Sequence, residues 1–517
     1  MTNFTDEGIQ SVRDESNGGA RTRGIEVDTE RSETDASEES NGDSARQPTQ
    51  AETLIELARE MALFRSSDGE DYTSFENGGH RETLLIKSKD FKNYLANNFC
   101  ELKGKAPHSN ALQSALAVLH GRASMNPWRQ PVYCRLAQMG SKVYLNLADN
   151  HWRVVEVTSA GWEVVSEHPI FFLKPKGMAA LPIPERGWSV SELQRFINFA
   201  DYEDFILLVS WLVAALRPVG PYPILVLQGE QGSAKSTTAK MLRSLVDPSI
   251  APLRRLPRNE RDLMIAAKNS WVLAFDNISK IPEWLADAFS SLATGGGLST
   301  RQLYSDTDET HLDATRPIML NGIEDLATRG DLIDRAIVIN LPKISSGERK
   351  REESLWREFE AARPKILGAL LLAVAHGLYN VNRIHRRKYP RMADFAHWSE
   401  AIASGLPWED WQFVNAYEEN ILGANAICLE ADVVAGAVQA MMEYTPRWEG
   451  SAAELLEKLN EIASEEATRD KHWPTAANWL TNRLRRIAPA LRRSGVDVEF
   501  DDKARPKRIM ISKTSRN

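Results

Sequence analysis

The stretch Pro223-Ile-Leu-Val-Leu-Gln-Gly-Glu-Gln-Gly-Ser-Ala-Lys-Ser-Thr237 constrains this chain more than any other. Ile224 to Leu227 are four apolar residues in a row, as in a parallel strand covered on both faces. Gly229, Gly232 and Ser233 let the backbone curl so that successive N–H groups converge. Thr237-Thr-Ala-Lys-Met-Leu-Arg-Ser-Leu245 then carries Met241, Leu242 and Leu245 on one helical face. A strand, a tight loop and a helix N-terminus in that order make a nest for phosphate oxygens.

The spacing is that of a Walker A loop, G-x-x-x-x-G-K-[ST], with Ala234 where the second glycine belongs. Gly229, Glu230, Gln231, Gly232, Ser233, Ala234, Lys235, Ser236 and Thr237 are therefore the expected nucleotide-binding residues. Lys235 is expected to reach the β- and γ-phosphates of ATP, and the Ser236 hydroxyl to coordinate Mg²⁺. Without that context a Gly/Ser/Lys-rich turn carries no such meaning. Forty-one residues after Lys235, Ser270-Trp-Val-Leu-Ala-Phe-Asp276-Asn277 reads as a second buried strand ending in an acid, the form of a Walker B motif. Asp276 would hold Mg²⁺ through water beside Ser236. Asn277 stands where many related ATPases carry a second acid; an amide orients water but accepts no proton. By sequence, Glu230, Glu283 and Asp287 are the nearest substitutes, and otherwise hydrolysis is slow.

Farther on lie Leu292-Ala-Thr-Gly-Gly-Gly-Leu-Ser-Thr-Arg-Gln-Leu-Tyr304, the apolar run Pro317-Ile-Met-Leu320 ending in Asn321-Gly322, and Asp331-Leu-Ile-Asp-Arg-Ala-Ile-Val-Ile-Asn-Leu-Pro342. This order of motifs resembles the superfamily-3 helicases, and more narrowly the ATPase domains of phage, plasmid and poxvirus-type primase–helicases, a branch of the AAA+ ATPases. The resemblance covers about residues 221–342, under a quarter of the chain. It implies a P-loop NTPase core. It implies that Asn321 is the sensor that orients the attacking water, and that Arg335 is an arginine finger for the neighbouring subunit's ATP, with Arg329 as the alternative. It implies a homo-oligomer, a hexamer in the family. It also implies that residues from Arg301 to Asp313 face nucleic acid. Gly297 departs from the family, whose members often have Asp there, and the 306–313 segment is acidic.

The rest of the chain sets the context. At 517 residues, 42% hydrophobic and 26% charged, it should hold several domains. Three scattered cysteines indicate neither a disulfide framework nor a zinc site. No secretory signal and no apolar run approaching about 20 residues is read, so a cytoplasmic protein with no membrane association is expected. The net charge of −8 hides opposite ends: residues 1–50 carry 12 acidic and 5 basic side chains, whereas residues 471–517 carry 12 basic and 4 acidic.

Residues 1–50 have almost no apolar side chains and read as a disordered acidic tail. Residues 51–185 read as an α+β region, helical to about 125 and then four β-rich runs. Trp152 and Trp162 there are expected in the core rather than stacked on bases. Residues 186–345 form the ATPase core and 346–425 a helical lid or linker, with Trp398, Trp408 and Trp411 in a small helical core. Residues 426–517 read as a winged helix: two helices, a basic helix, then a hairpin. Arg483, Arg485, Arg486, Arg492 and Arg493 on the helix, with Lys507 and Arg508 on the hairpin and Arg301 in the core, are the expected DNA contacts; docking to protein is the other reading.

The sequence therefore predicts an α/β P-loop NTPase (AAA+-like) core with an α+β N-terminal region and a C-terminal winged helix. The expected activity is an ATP-dependent DNA translocase or helicase-like ATPase serving replication or maintenance of a phage, plasmid or integrated element. Its expected cofactors are ATP and Mg²⁺, and its partners DNA and a separate primase or replication protein. The second reading is an ATP switch, DNA-binding regulator or defence ATPase with slow or no hydrolysis, which Asn277 favours.

Overall fold

The computed structural model describes residues 47–296, 298–301, 309–312, 314–322, 330–385, 389–430, 432–505 and 507–513. The acidic tail predicted for residues 1–50 lies almost wholly outside them. At the centre is a four-stranded sheet of β1 (Ile224–Gln228), β2 (Leu273–Ile278), β3 (Ile318–Gly322) and β4 (Ala336–Asn340). The strand order is β2-β3-β1-β4 and every pairing is parallel. β1 and β3, the inner strands, are buried at every residue. Side chains alternate between the faces of a strand, and β1 accordingly feeds two cores. Leu225 and Leu227 pack with Met241, Leu242 and Leu245 of helix α1 (Lys235–Val246). Ile224 and Val226 pack with Leu263, Leu285 and Phe289 on the other side. Apolar cover on both faces is what the uninterrupted run in the sequence requires.

β4 is an edge strand, and an uncovered edge invites pairing with another chain. Helix α2 (Glu352–Asn380) and helix α3 (Asp410–Glu430) follow it in sequence. α3 covers the edge: the Asn420 side chain accepts from Val338 N at 3.0 Å and donates to Val338 O at 2.6 Å, as a neighbouring strand would. α2 is long and apolar enough to cross a membrane, but 67% of its most apolar window is buried inside the fold. Ile366, Leu367, Leu370 and Val374 explain this, since they fill the same core as α1. Trp398 and Trp408 are buried in that core, whereas Trp411 is exposed.

The N-terminal region shares the core. Its four-stranded antiparallel sheet, Leu136–Met139, Lys142–Asn146, Val154–Thr158 and Gly161–Val165, contributes Leu145, Val155, Val157 and Trp162 to the cluster that holds α1. Trp162 is thus a core residue, its indole N–H donating to Gly368 O at 3.0 Å. Arg135, with 0% of its surface exposed, ties the two parts together. It donates to Asp247 Oδ1 at 3.0 Å and to the carbonyls of Asn146 and Ala179 at 2.9 Å each. Asp247 ends α1 and also accepts from the backbone of Trp271 and Val272.

Before that sheet, the stretch read as mostly helical contains a second antiparallel sheet, Ala62–Arg65, Asp71–Asn77 and His80–Leu85. Its turn is Gly78-Gly79, both at positive φ, a hairpin signal that the helical reading passed over.

The C-terminal part has its own core. Its elements are α4 (Val433–Tyr444), β5 (Arg447–Gly450), α5 (Ala452–Ile462), α6 (Glu465–Arg469), α7 (Ala477–Arg493), β6 (Val496–Asp501) and β7 (Arg508–Lys513). The strands form an antiparallel sheet in the order β5-β7-β6. β5, a short outer strand, is absent from the sequence reading. Ser451 caps α5 in a capping box with Glu454, as its S-x-x-E pattern predicts.

Candidate functional site

Because the central strands are parallel, the loops leaving β1, β2 and β3 emerge at one end of the sheet, where open α/β sheets gather their ligands. The loop after β1 is tight. Gly229 has φ +148°, and a Cβ there would stand 2.4 Å from Leu341 O, so only glycine fits. Gly232 has φ +90°. Ala234, at the N-cap of α1, has φ 62° and ψ 26°, the left-handed conformation that glycine adopts without strain. The missing second glycine of the motif therefore leaves an alanine in a backbone shape meant for glycine. Lys235 opens α1, and its ammonium lies 2.6 Å from Gly229 O and 2.7 Å from Glu230 O. A cation is thus held over a loop whose first-turn amides have no intrahelical acceptor.

Three side chains meet beside it. Ser236 Oγ donates to Asp276 Oδ1 at 3.1 Å. The Asn321 amide donates to Asp276 Oδ1 at 2.6 Å and to Ser236 Oγ at 3.2 Å. Each comes from a different element: Ser236 from α1, Asp276 from the end of β2, and Asn321, 1% exposed, from the end of β3. β3 lies between β1 and β2, which is why its last polar residue falls between the other two. A hydroxyl and a carboxylate oxygen converging here form the kind of hard-oxygen donor set that suits Mg²⁺.

Asn277 has φ 56° at an irregularity in the β2–β3 pairing, and it is exposed. Asn is one of the residues that tolerate the left-handed region. Its backbone N–H donates to Asp276 Oδ1 at 2.9 Å, which fixes the carboxylate from a third side. Of the sequence's candidate bases, Glu230 Oε2 lies 3.2 Å from Lys343 Nζ, and Glu283 Oε1 lies 3.8 Å from Arg486 Nη2.

Arg335 is not at this end. It immediately precedes β4, whose first residue, Ala336, pairs with Ile224 at the start of β1. The glycine loop leaves the other end of β1, so the five-residue strand puts about 16 Å between the two ends. Arg329 and the tip of the segment expected to face nucleic acid lie outside the described residues. The base of that segment is an antiparallel pair, Leu298–Arg301 with Glu309–Leu312. Next to Arg335, Asp334 is buried and forms ion pairs with Arg391 and with Arg493 of α7.

This corrects the expected nucleic-acid surface. Arg493 is turned inward, pairing with Asp334 and donating to Asn425 Oδ1 at 3.0 Å. Arg483 pairs with Asp432, the N-cap of α4, at 2.6 Å. Arg483 thus ties α7 to the start of α4, and Arg493 ties α7 to the turn before β4 and to α3. Arg492 pairs with Asp497 at 2.7 Å, Arg508 with Glu449 at 2.7 Å, and Arg485 with Asp502 at 2.6 Å, but all three stay exposed. Lys507 lies 3.3 Å from Asp502. The open face of α7 presents Asn478, Trp479, Asn482, Arg485 and Arg486. Sequence reasoning passed over Asn478, Trp479 and Asn482, although Trp479 and Asn482 fall seven and four residues before Arg486, two turns and one turn away on the same side of the helix.

Fold and site together define a mixed α/β protein with a glycine loop, a lysine and a Ser–Asp–Asn cluster at the C-terminal ends of its parallel strands. Residues 190–417 match the family model of the Actinomycete integrative conjugative element replication protein, and residues 434–517 match that of the AICE RepA C-terminal domain. These matches support a role for the chain in replication of a mobile element. The comparison with curated proteins found no match. Among solved structures it is similar to the A form apo structure of the NrS-1 C-terminal region, with a TM-score of 0.40 and 11% identity over 89% of this chain and 98% of that one. A further apo structure of the NrS-1 C-terminal region has a TM-score of 0.39 and 12% identity over 91% and 100%.

Proposed function

We propose that the chain is a P-loop ATPase of the AAA+ type that moves along or unwinds DNA during replication of an integrated conjugative element. The observation that carries this reading is the meeting of Ser236, Asp276 and Asn321 within 3.2 Å of one another beside Lys235 and the glycine loop. The loop amides and Lys235 bind the phosphates of ATP. Ser236 and Asp276 would hold Mg²⁺, which would neutralise charge on the β- and γ-phosphates when bound. The Asn321 amide orients the attacking water. Arg335, at the far end of its own sheet, acts on ATP bound by a neighbouring copy, so the active form is a ring, in the family a hexamer. The C-terminal part is a winged helix that meets DNA through the open face of α7 and the basic hairpin. Amides and guanidinium groups there suit base edges, and Lys507 suits phosphate.

A slow ATP switch is the second reading, favoured by the exposed amide of Asn277, which accepts no proton. Single-turnover and steady-state ATPase assays with and without single-stranded DNA decide between them. DNA-stimulated turnover that Lys235→Ala abolishes is expected for a translocase. Hydrolysis that stays at a few turnovers per hour with DNA present establishes the switch, and unchanged turnover in Lys235→Ala overturns the nucleotide site itself.

A further inference from the structure

Asp334 occupies a two-residue turn with Arg335, between the short helix Gly330–Ile333 and β4. Only 7% of its surface is exposed. Its two carboxylate oxygens are divided: Oδ2 takes Arg391, which leads into the helix Ala393–Ile402, and Oδ1 takes Arg493, in the last turn of α7. Arg493 Nη1 is shared with Asn425 of α3. Five residues earlier on α3, Asn420 holds the edge of β4 through Val338. The backbone of Arg335 is fixed as well, its N–H donating to Leu332 O at 3.0 Å and its carbonyl accepting from Ile224 N at 2.8 Å. The end of the C-terminal helix is thus bonded to the residue before Arg335, and through α3 to the strand after it.

We infer that Arg493 and Arg391 are positioning residues for Arg335: by anchoring Asp334 they aim the finger at the neighbouring subunit's ATP, so that the placement of α7 sets that subunit's turnover. The inference rests on the reading of Arg335 as an arginine finger. Its physical basis is the cost of burying a carboxylate. A buried carboxylate stays buried only while its partners stay. Without Arg493, Asp334 faces one guanidinium in place of two, and the turn it anchors relaxes. A catalytic group displaced by about 1 Å loses about 100-fold in rate. The same α7 presents Asn478, Asn482 and Arg486 to solvent about two to four turns before Arg493, so a load on that face is carried along α7 to Asp334.

The test measures kcat for ATP hydrolysis and, separately, equilibrium binding of a fluorescent ATP analogue with Mg²⁺ to the full-length protein. The variants are Arg335→Ala, Arg493→Ala, Arg493→Lys, Arg391→Ala and the double Arg335→Ala/Arg493→Ala. Arg493→Ala should lower kcat about 10-fold or more while nucleotide affinity stays within about twofold, and Arg493→Lys should recover most of the loss. Arg391→Ala, changed at a more exposed side chain, should reproduce the kcat loss even if Arg493→Ala folds poorly. The double variant should be no slower than Arg335→Ala alone, because a residue acting through Arg335 has nothing left to act on once it is gone. Wild-type kcat in both Arg493→Ala and Arg391→Ala, or losses that multiply in the double variant, would overturn the positioning role while leaving the finger intact. Wild-type turnover in Arg335→Ala overturns the finger reading instead, and the inference with it.

Discussion

Asn321→Asp gives the sharpest test of how the polar cluster is built. The wild-type amide stands 2.6 Å from Asp276 Oδ1 and 3.2 Å from Ser236 Oγ, almost wholly out of solvent. The substitution keeps the shape and replaces an N–H donor with a carboxylate oxygen. Two unit charges about 4 Å apart at an effective dielectric of about 20 repel by about 4 kcal/mol, which corresponds to about three pH units of proton affinity. The introduced carboxyl therefore holds its proton in the folded state over a range in which the unfolded chain has lost it. Where the native state binds more protons than the unfolded one, stability falls as pH rises. The variant should match wild type near pH 4, lose stability as pH climbs from about 4 to about 7, and be down by up to about 4 kcal/mol at pH 8. Thermal melts from pH 4 to pH 8 in EDTA measure this, with Asn321→Leu as a control whose difference from wild type is flat with pH. Two carboxylates and a hydroxyl make a stronger hard-cation site, so millimolar MgCl₂ at pH 8 should restore much of the loss. A pH profile parallel to wild type, or no response to Mg²⁺, would refute the placement of Asn321 against Asp276.

Three further outcomes follow from other parts of the fold. Ala234→Gly removes left-handed strain of about 1–2 kcal/mol and adds about 0.4–1 kcal/mol of unfolded-state entropy; the melting temperature should rise by about a degree, and a fall would show that the Ala234 backbone is not left-handed. Arg135→Met leaves Asp247 facing Arg243 at 3.9 Å and takes the donor from the Asn146 and Ala179 carbonyls, so it should cost about 3–5 kcal/mol in a denaturant melt. Asp204 has its carboxyl raised to about 7, chiefly by burial and then by Asp201. Its folded pKa lies above its unfolded one, so stability is lost as pH climbs from about 4 to about 7; Asp204→Asn should match wild type near pH 4, melt higher at pH 8, and thereby flatten the melting profile.

The parallel sheet was legible because each strand is a short apolar run with a polar residue at its exit, a pattern that local sequence carries in full. Gln228-Gly229, Asp276 and Asn321 are such exits, and parallel pairing then brings them together. What the pattern leaves open is which strands adjoin. Only the order β2-β3-β1-β4 shows that Asn321 sits between Ser236 and Asp276. The strands at 62–85 were illegible for a different reason. Ala62–Arg65 is four residues long and follows closely on the helix Gln50–Leu57, and the polar Asp71–Asn77 lacks the alternation expected of a half-buried strand, since its first five residues are all buried. β5 is likewise too short to show a period.

Charge was the least legible property, because sequence counts it without showing what it faces. Five arginines on one helix read as one basic surface. Their positions divide them by tasks that a helical wheel alone does not separate: Arg493 and Arg483 turn to acids on neighbouring elements, while Arg485 and Arg486 remain on the open side. The two departures from the motif pattern separate in the same way. Ala234, next to Lys235, and Asn277, next to Asp276, both have left-handed backbones. For Ala234 the side chain opposes that conformation, and the loop holds it there. For Asn277 the side chain favours it, and the resulting turn brings the Asn277 N–H onto Asp276 Oδ1. A replaced glycine thus adds strain beside the lysine, whereas a replaced acid exchanges a proton acceptor for a residue suited to the bend that orients Asp276. The lost glycine bears on stability and, in the ATPase proposed above, the lost acid bears on the rate of hydrolysis, so measurements of folding and of turnover separate the two.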